Sequence, residues 1–396
     1  MKDESPEKKK VVLVKKKDAS VTMKNNNKTD EAQKKYSDSK GLCFNERDEI
    51  SEVNIRSLYK KNQKALNNTN SSCPNYLYVE STTDKDFYNR FINKNITYIK
   101  DIKPNKDLDT DDYNKVVGNV GKKCSHKDAI ICLVSRNADL RGYVKEDSPW
   151  YPPKKIYGIV DMDYDKDDRE IQIVCNKINE KYDYEICKKQ LSTTNPANDV
   201  ETLLFNFKEH EILSICSNAY VPYQYKDEIL EYWKTLIEVA KKKASKLGAM
   251  RKKSVNDARK NDLNENYKKN RYSLNFSNFF HHKHPEDYSE YTNCHDDEVF
   301  LLALIEKDIK RGGKKANLNI KNNYKGEIRN LKGNLLNFCR GHDLTGILSC
   351  LIKQKMLPDK SEKEIENQLL KDIMSLVQPE DFDDSDFKKF ITNNNL

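Results

Sequence analysis

Two short apolar runs stand out along an otherwise polar chain. Tyr76-Leu77-Tyr78-Val79 is aromatic and β-branched and stops at Glu80, the pattern of a short buried strand. Ser81, Thr82, Thr83 and Asp84 come next, all small polar residues suited to cap a helix. Phe87, Tyr88, Phe91 and Ile92 then recur at the spacing of one helical face, so the segment predicts a strand–turn–helix unit. The second run, 155–160, leads into a row of carboxylates, Asp161-Met162-Asp163-Tyr164-Asp165. Between the two, 96–99 reads as a further strand, and 129–135 (AIICLVS) as a strand or the end of a helix. Another strand is expected at 171–175 or, alternatively, at 184–191. Beyond Asn195 and Pro196 come Asp199, Glu201 and a helix carrying Leu203, Leu204 and Phe205. Strands alternating with helices at this spacing predict an α/β fold, a mostly parallel sheet flanked by helices.

From about residue 222 the strand patterns fade. Leu230, Trp233, Leu236, Ile237 and Ala240 share one face of a helix expected at 229–246, and further helices are expected at 299–309, 335–353 and 362–376. Upstream, Ile50, Val53, Ile55, Leu58 and Tyr59 predict a short helix from about Glu49. Residues 1–45 hold no period and are dominated by Lys, Asn, Asp and Ser, as expected of a disordered basic tail. The expected organisation is therefore a tail at 1–45, an α/β catalytic domain at 46–220, and a mainly helical region at 221–396 with a basic loop at 247–298.

Composition narrows the class. Hydrophobic residues make up 36% and charged residues 34%, with a mean hydropathy of −0.92, which excludes a helical membrane protein; no apolar run reaches the roughly 18 residues needed to span a bilayer. The start, MKDESPEKKK, lacks the apolar stretch of a signal peptide, so a cytoplasmic location is expected. The ten cysteines include no C-x-x-C pair and are expected to be free thiols rather than disulfides or a zinc ribbon. Net charge is +8 and uneven, with lysines crowded into the first forty residues and a basic stretch at 241–271. Within it Lys241, Lys242, Lys246, Arg251, Lys252 and Lys253 are candidates to track a nucleic-acid backbone, with a merely solvated helix face as the alternative. His281, His282, His284, Cys294 and His295 cluster but match no familiar zinc spacing. A mobile loop over the site is the preferred reading.

The carboxylates carry the candidate chemistry. Ligand sites of parallel α/β sheets form at the carboxyl ends of strands, so Glu80 and Asp161-Met162-Asp163 should face one crevice. Alternation along an extended chain puts both aspartates on one side. Close carboxylates repel unless neutralised, and hard oxygen ligands suit Mg²⁺ or Mn²⁺. Asp199 and Glu201 have the same spacing and could serve a second ion. Taken alone, the acidic run reads equally well as a surface turn; following a buried strand, and paired with Glu80, it reads as a metal site.

In that combination LYVESTTDKDFY, YGIVDMDYD and NDVETLLF resemble the TOPRIM fold, within it most of all a bacterial group with a helical tail that includes the nuclease subunit of the PARIS phage-defence system. OLD-family nucleases are similar at a greater distance. The likeness covers roughly Tyr76 to Lys246, with a weaker echo at Arg340-Gly341-His342-Asp343-Leu344. It implies a metal-dependent nuclease acting on RNA such as tRNA, or on DNA. Glu80, Asp161 and Asp163 would be its catalytic and metal-binding residues, with Asp199 and Glu201 on the second-metal side and Asp84, Lys85, Asp165 and Asp343 in support. Ser81 departs from the glycine common in TOPRIM domains. The chain has no G-x-x-x-x-G-K-[ST] motif, in keeping with an ATPase of the ABC type as a separate partner, and a second copy of the chain is a further candidate partner. The other functional class open to such a sequence is a nucleic-acid-binding or ATPase-docking module whose metal site is structural or degenerate.

Overall fold

The computed structural model describes residues 52–67, 71–108, 125–162, 189–194, 199–207, 226–263, 285–311, 318–355, 357 and 359–396. The expected basic tail, Asp163, Asp165, both alternative strand segments short of Lys189, and His281, His282 and His284 lie outside them.

Among the described residues four strands form one all-parallel sheet: β1 (Asn75–Val79), β2 (Thr97–Asp101), β3 (Lys155–Val160) and β4 (Leu191–Thr193), in the order β2-β1-β3-β4. The chain steps from β1 to one side, then returns to the other, so β1 and β3 flank the topological switch point. There the connections diverge and leave a crevice beyond the strand ends. The register pairs Tyr78 with Gly158 and Val160 with Thr193.

Alternation along the strands divides the core into two faces. Tyr76 and Tyr78 of β1 and Ile156 and Val160 of β3 join one cluster with α3 (His126–Tyr143). This helix resolves the ambiguity of 129–135. Every residue from Ala129 to Leu140 is buried, between the sheet and α1 (Glu52–Asn67); a helix covered on all sides has no apolar stripe to reveal its period. Gly158 permits the close packing, since a Cβ there would lie 2.5 Å from Ile130 Cγ2.

Leu77, Val79, Tyr157 and Ile159 face the other way. They share a continuous cluster with α2 (Thr82–Tyr88), α4 (Val200–Phe207), α5 (Lys226–Leu263) and the later helices. These are α6 (Pro285–Asn293), α7 (Asp297–Arg311), α8 (Leu318–Arg329), α9 (Gly341–Lys355), α10 (Glu362–Ser375) and α11 (Asp386–Asn393). Phe87 and Phe91 meet Phe382 and Phe387, and the Asn93 amide donates to the Leu396 carbonyl at 3.1 Å. The helical C-terminal region thus covers one face of the sheet. The expected boundary at 220 falls outside the described residues, and the core on either side of it is one.

Two expected helices differ in extent. The helix expected at 229–246 continues to Leu263, with Leu247, Ala249 and Met250 buried beyond the expected end. The one expected at 335–353 is broken. A 3₁₀ turn at Leu335–Phe338, capped by Asn334, gives way to extended backbone at Cys339, and α9 begins anew at Gly341. Helices α6, α8 and α11 were not legible in the apolar spacing. Cys73, Cys132, Cys294, Cys339 and Cys350 are free thiols.

Candidate functional site

Glu80 leaves β1 and Asp161 leaves β3, side by side at the switch point. They are joined directly: the Asp161 amide donates to Glu80 Oε1 at 2.9 Å. Around this bond, the Lys127 ammonium donates to the Asp161 carbonyl at 2.9 Å and the Met162 amide to Thr194 Oγ1 at 3.2 Å. The end of β3 is therefore fastened by three elements, β1, α3 and β4. Both acids are half-buried.

Ser81, the residue that follows Glu80, caps α2. Its hydroxyl accepts from the Asp84 amide at 3.1 Å, and the Asp84 carboxylate accepts from the Ser81 amide at 2.7 Å. This capping box turns Asp84 inward, where it is 3% exposed. Burial, and then the charge of Glu201, pushes the Asp84 carboxyl up to about 7. Lys85 is half-buried in the same turn, within electrostatic reach of Asp101.

Asp199 and Glu201 open α4 and are both buried. Asp199 is its N-cap: Oδ1 accepts from the Thr202 amide at 2.9 Å and from the Thr202 hydroxyl. Its Oδ2 accepts from the Gly341 amide at 2.7 Å, which brings in the start of α9 from 142 residues further along the chain. Glu201 is pushed up to about 8, by burial first and by the Asp199 charge second. Burial and the neighbouring acids thus both push Asp84 and Glu201 upward.

The carboxylates meet around Tyr88. Its ring is buried, and its hydroxyl finds no hydrogen-bond partner among the described residues. Burial raises the phenol well above its ordinary value, and the charges of Asp84, Asp161, Glu80 and Glu201 add to the effect, in that order. The structure therefore gathers Glu80, Asp84, Asp161, Asp199 and Glu201 at one end of the sheet. Among the described residues, however, no three acidic, histidine or cysteine side chains converge as a ready-made metal cage, and Asp163 is outside them.

The weak echo at 340–344 lands on this site. Gly341 sits where any side chain would collide, since a Cβ there would lie 2.3 Å from Glu201 Cβ and 2.4 Å from Asp199 Oδ1. His342 Nδ1 stands 4.0 Å from Glu201 Oε1. Partial burial, and then the Arg340 charge, holds its imidazole below the usual range. Asp343 points elsewhere: its carboxylate takes a bidentate pair from Arg251 at 2.8 and 2.9 Å and a third bond from the Tyr288 hydroxyl at 2.8 Å. It ties α5, α6 and α9 together rather than joining the acids. Gly341, His342, Tyr88 and Lys127 are the residues that sequence spacing did not single out for this site. For Gly341 and His342 the sequence offered the weak echo at 340–344.

The basic face expected on α5 is largely turned to the protein. Arg251 is buried against Asp343. Lys241 pairs with Glu238, Lys246 with Asp297, and Lys252 and Lys253 lie over the Phe338 and Tyr324 rings. Lys242 is exposed.

Comparison with protein-family models, curated proteins and solved structures finds no match to this chain. No helix among the described residues is long and apolar enough to cross a membrane.

Proposed function

We propose that this chain is a metal-dependent nuclease that hydrolyses phosphodiesters of RNA such as tRNA, or of DNA. The observation that carries this reading is the Glu80–Asp161 hydrogen bond across the β1/β3 switch point, where parallel α/β sheets bind ligands. The donors there are all hard oxygens, suited to Mg²⁺ or Mn²⁺. The unpartnered Tyr88 hydroxyl and the buried Asp84 and Glu201, whose carboxyls are pushed upward, suit an acidic pocket that a cation would compensate. Glu80, Asp161 and Asp163 would hold the principal ion and Asp199 and Glu201 a second. Bound there, such ions supply Lewis acidity and a water made nucleophilic at neutral pH. Glu80 fixes the Asp161 backbone, Asp199 seats the start of α9, and His342 stands beside Glu201 at the rim. Action as a toxic effector of phage defence, restrained by a partner ATPase, extends the proposal on the strength of the motif resemblance.

The second reading is a nucleic-acid-binding or ATPase-docking module with a degenerate metal site. The lack of a three-ligand cage among the described residues favours it. A binding module has no need of five clustered carboxylates that repel phosphate, so the enzyme reading is preferred. The discriminating experiment incubates the purified chain, alone and with the product of any neighbouring ATPase gene, with Mn²⁺ or Mg²⁺ and total tRNA, single-stranded DNA and duplex DNA. Cleavage abolished by chelation and by Glu80→Ala and Asp161→Ala is expected. Full activity in either variant overturns the assignment.

A further inference from the structure

The cations expected to meet nucleic acid on α5 are mostly paired within the protein, whereas α1 presents a row of them to solvent. After Glu52 this helix carries no carboxylate, and Arg56, Lys60 and Lys64 recur every fourth residue. That period lines them up on one face, about 6 Å apart along the axis. Lys60 and Lys64 are exposed, and their ammonium groups make no ion pair among the described residues. The row starts at an aromatic cluster. The Arg56 guanidinium lies 5.0 Å from the Trp150 ring centroid, and Tyr59 meets the same indole edge-on at 5.8 Å. Tyr151 follows, with the Arg141 guanidinium 4.4 Å over its ring. The turn carrying both rings is fastened, since the Trp150 amide donates to Ser148 Oγ at 3.2 Å and Arg141 to the Pro152 carbonyl at 3.0 Å. Tyr59, Trp150 and Tyr151 are only half-buried.

Like charges at i, i+4 repel along a helix, and a polyanion laid across them removes the repulsion. The spacing of the row is close to that of neighbouring phosphates along one nucleic-acid strand. A row of lysines alone would serve a duplex equally well; partly exposed rings at its end suit unpaired bases, whose faces a duplex hides. The nearby acids sit in the turn and not on the helix: Glu146 accepts from the Tyr151 hydroxyl at 3.3 Å, and Asp147 is exposed. We propose that α1 docks a single-stranded segment of nucleic acid, with phosphates along Lys60 and Lys64 and a base against the Trp150 and Tyr151 rings. The docked strand is a substrate only if the nuclease reading holds, but the docking itself needs no metal.

Fluorescence anisotropy of a short labelled single-stranded RNA, the matching DNA strand and the DNA duplex, titrated with the full chain in chelator, reads the docking without cleavage. The single strands should bind with a Kd between about 1 and about 100 µM at physiological salt, and tighter than the duplex. Lys60→Ala combined with Lys64→Ala should weaken binding about fivefold or more. It should also lower the slope of log affinity against log salt by about 1.4, at roughly 0.7 per phosphate contact on a single strand. Lys355→Ala combined with Lys371→Ala, which removes the same charge from exposed positions of α9 and α10, should do neither. The strand should quench indole fluorescence, and Trp150→Phe should abolish the quench, because Trp233, the other tryptophan, is buried. No binding by the native chain, or equal affinity and salt slope without Lys60 and Lys64, overturns the proposal. So does a duplex bound as tightly as the single strands with no quench. Cleavage by the same preparations in Mn²⁺ keeps the two readings apart. A chain that cleaves yet binds normally without Lys60 and Lys64 loses the docking face and remains a nuclease; one that binds through them and never cleaves keeps the docking face alone.

Discussion

Glu201→Gln should make the metal-free protein more stable at alkaline pH, against the usual expectation for loss of a buried polar group. The Glu201 carboxyl is held near 8 in the fold, against an ordinary 4.5. A carboxyl raised by folding contributes stability that is fully present below the unfolded value and is lost as pH climbs through the folded one. Metal-free protein should therefore weaken steadily from about pH 4.5 to about pH 8, with Asp84, pushed up to about 7, acting in the same direction. At 1.36 kcal/mol per pH unit the ceiling for Glu201 is about 5 kcal/mol. Relaxation around the buried acid reduces the expected figure to about 2 kcal/mol, worth roughly 4–8 °C in melting temperature. Thermal unfolding in chelator at pH 9 should show Glu201→Gln melting higher than the native chain by that margin. The gap should close toward pH 4.5. Millimolar Mg²⁺ should reverse the order at pH 9, because ligand binding stabilises only the chain that binds it. A variant that melts at or below the native temperature at pH 9 in chelator would refute the reasoning, since Glu201 would then not be an uncompensated buried acid.

Gly341→Ala should drive a methyl group into Glu201 and Asp199 and cost about 1–3 kcal/mol, read as a lowered melting temperature with helical circular dichroism retained; no loss of stability would mean that α9 does not seat on the acids. Arg251→Ala should cost about 3–5 kcal/mol by stranding Asp343, and the double variant with Asp343→Ala should cost less than the two singles together in a denaturant-unfolding cycle. Additive losses would exclude the pair as a structural tie. Gly158→Ala should destabilise by a further about 1–3 kcal/mol through Ile130, and urea unfolding at the native midpoint would show otherwise.

The strands were legible because each is short, apolar and bounded by polar turns, and the two with acids at their ends proved to be neighbours in the sheet. What spacing could not supply was the order β2-β1-β3-β4, which makes the β1/β3 ends a crevice rather than two separate turns. The helix at 126–143 was ambiguous because burial on every side erases periodicity. The burial of part of the lysine-rich face of α5 was not legible either: charge on a helix suggests exposure, yet Lys243 is buried against Asp297 and the Tyr291 carbonyl, and Arg251 against Asp343. Those pairings join residues up to 92 apart and leave no local trace. Gly341 and His342 were marked only by the weak echo at 340–344, and they reach Asp199 and Glu201 through the tertiary fold.

The account rests on a divalent cation held where β1 and β3 end, and binding itself tests this without any need for substrate or trigger. Mn²⁺ titration of the purified chain, followed by electron paramagnetic resonance at pH 8, should show saturable binding that Mg²⁺ displaces and that Glu80→Gln and Asp161→Asn each weaken tenfold or more. No saturable binding by the native chain, or binding unchanged in both variants, would contradict it.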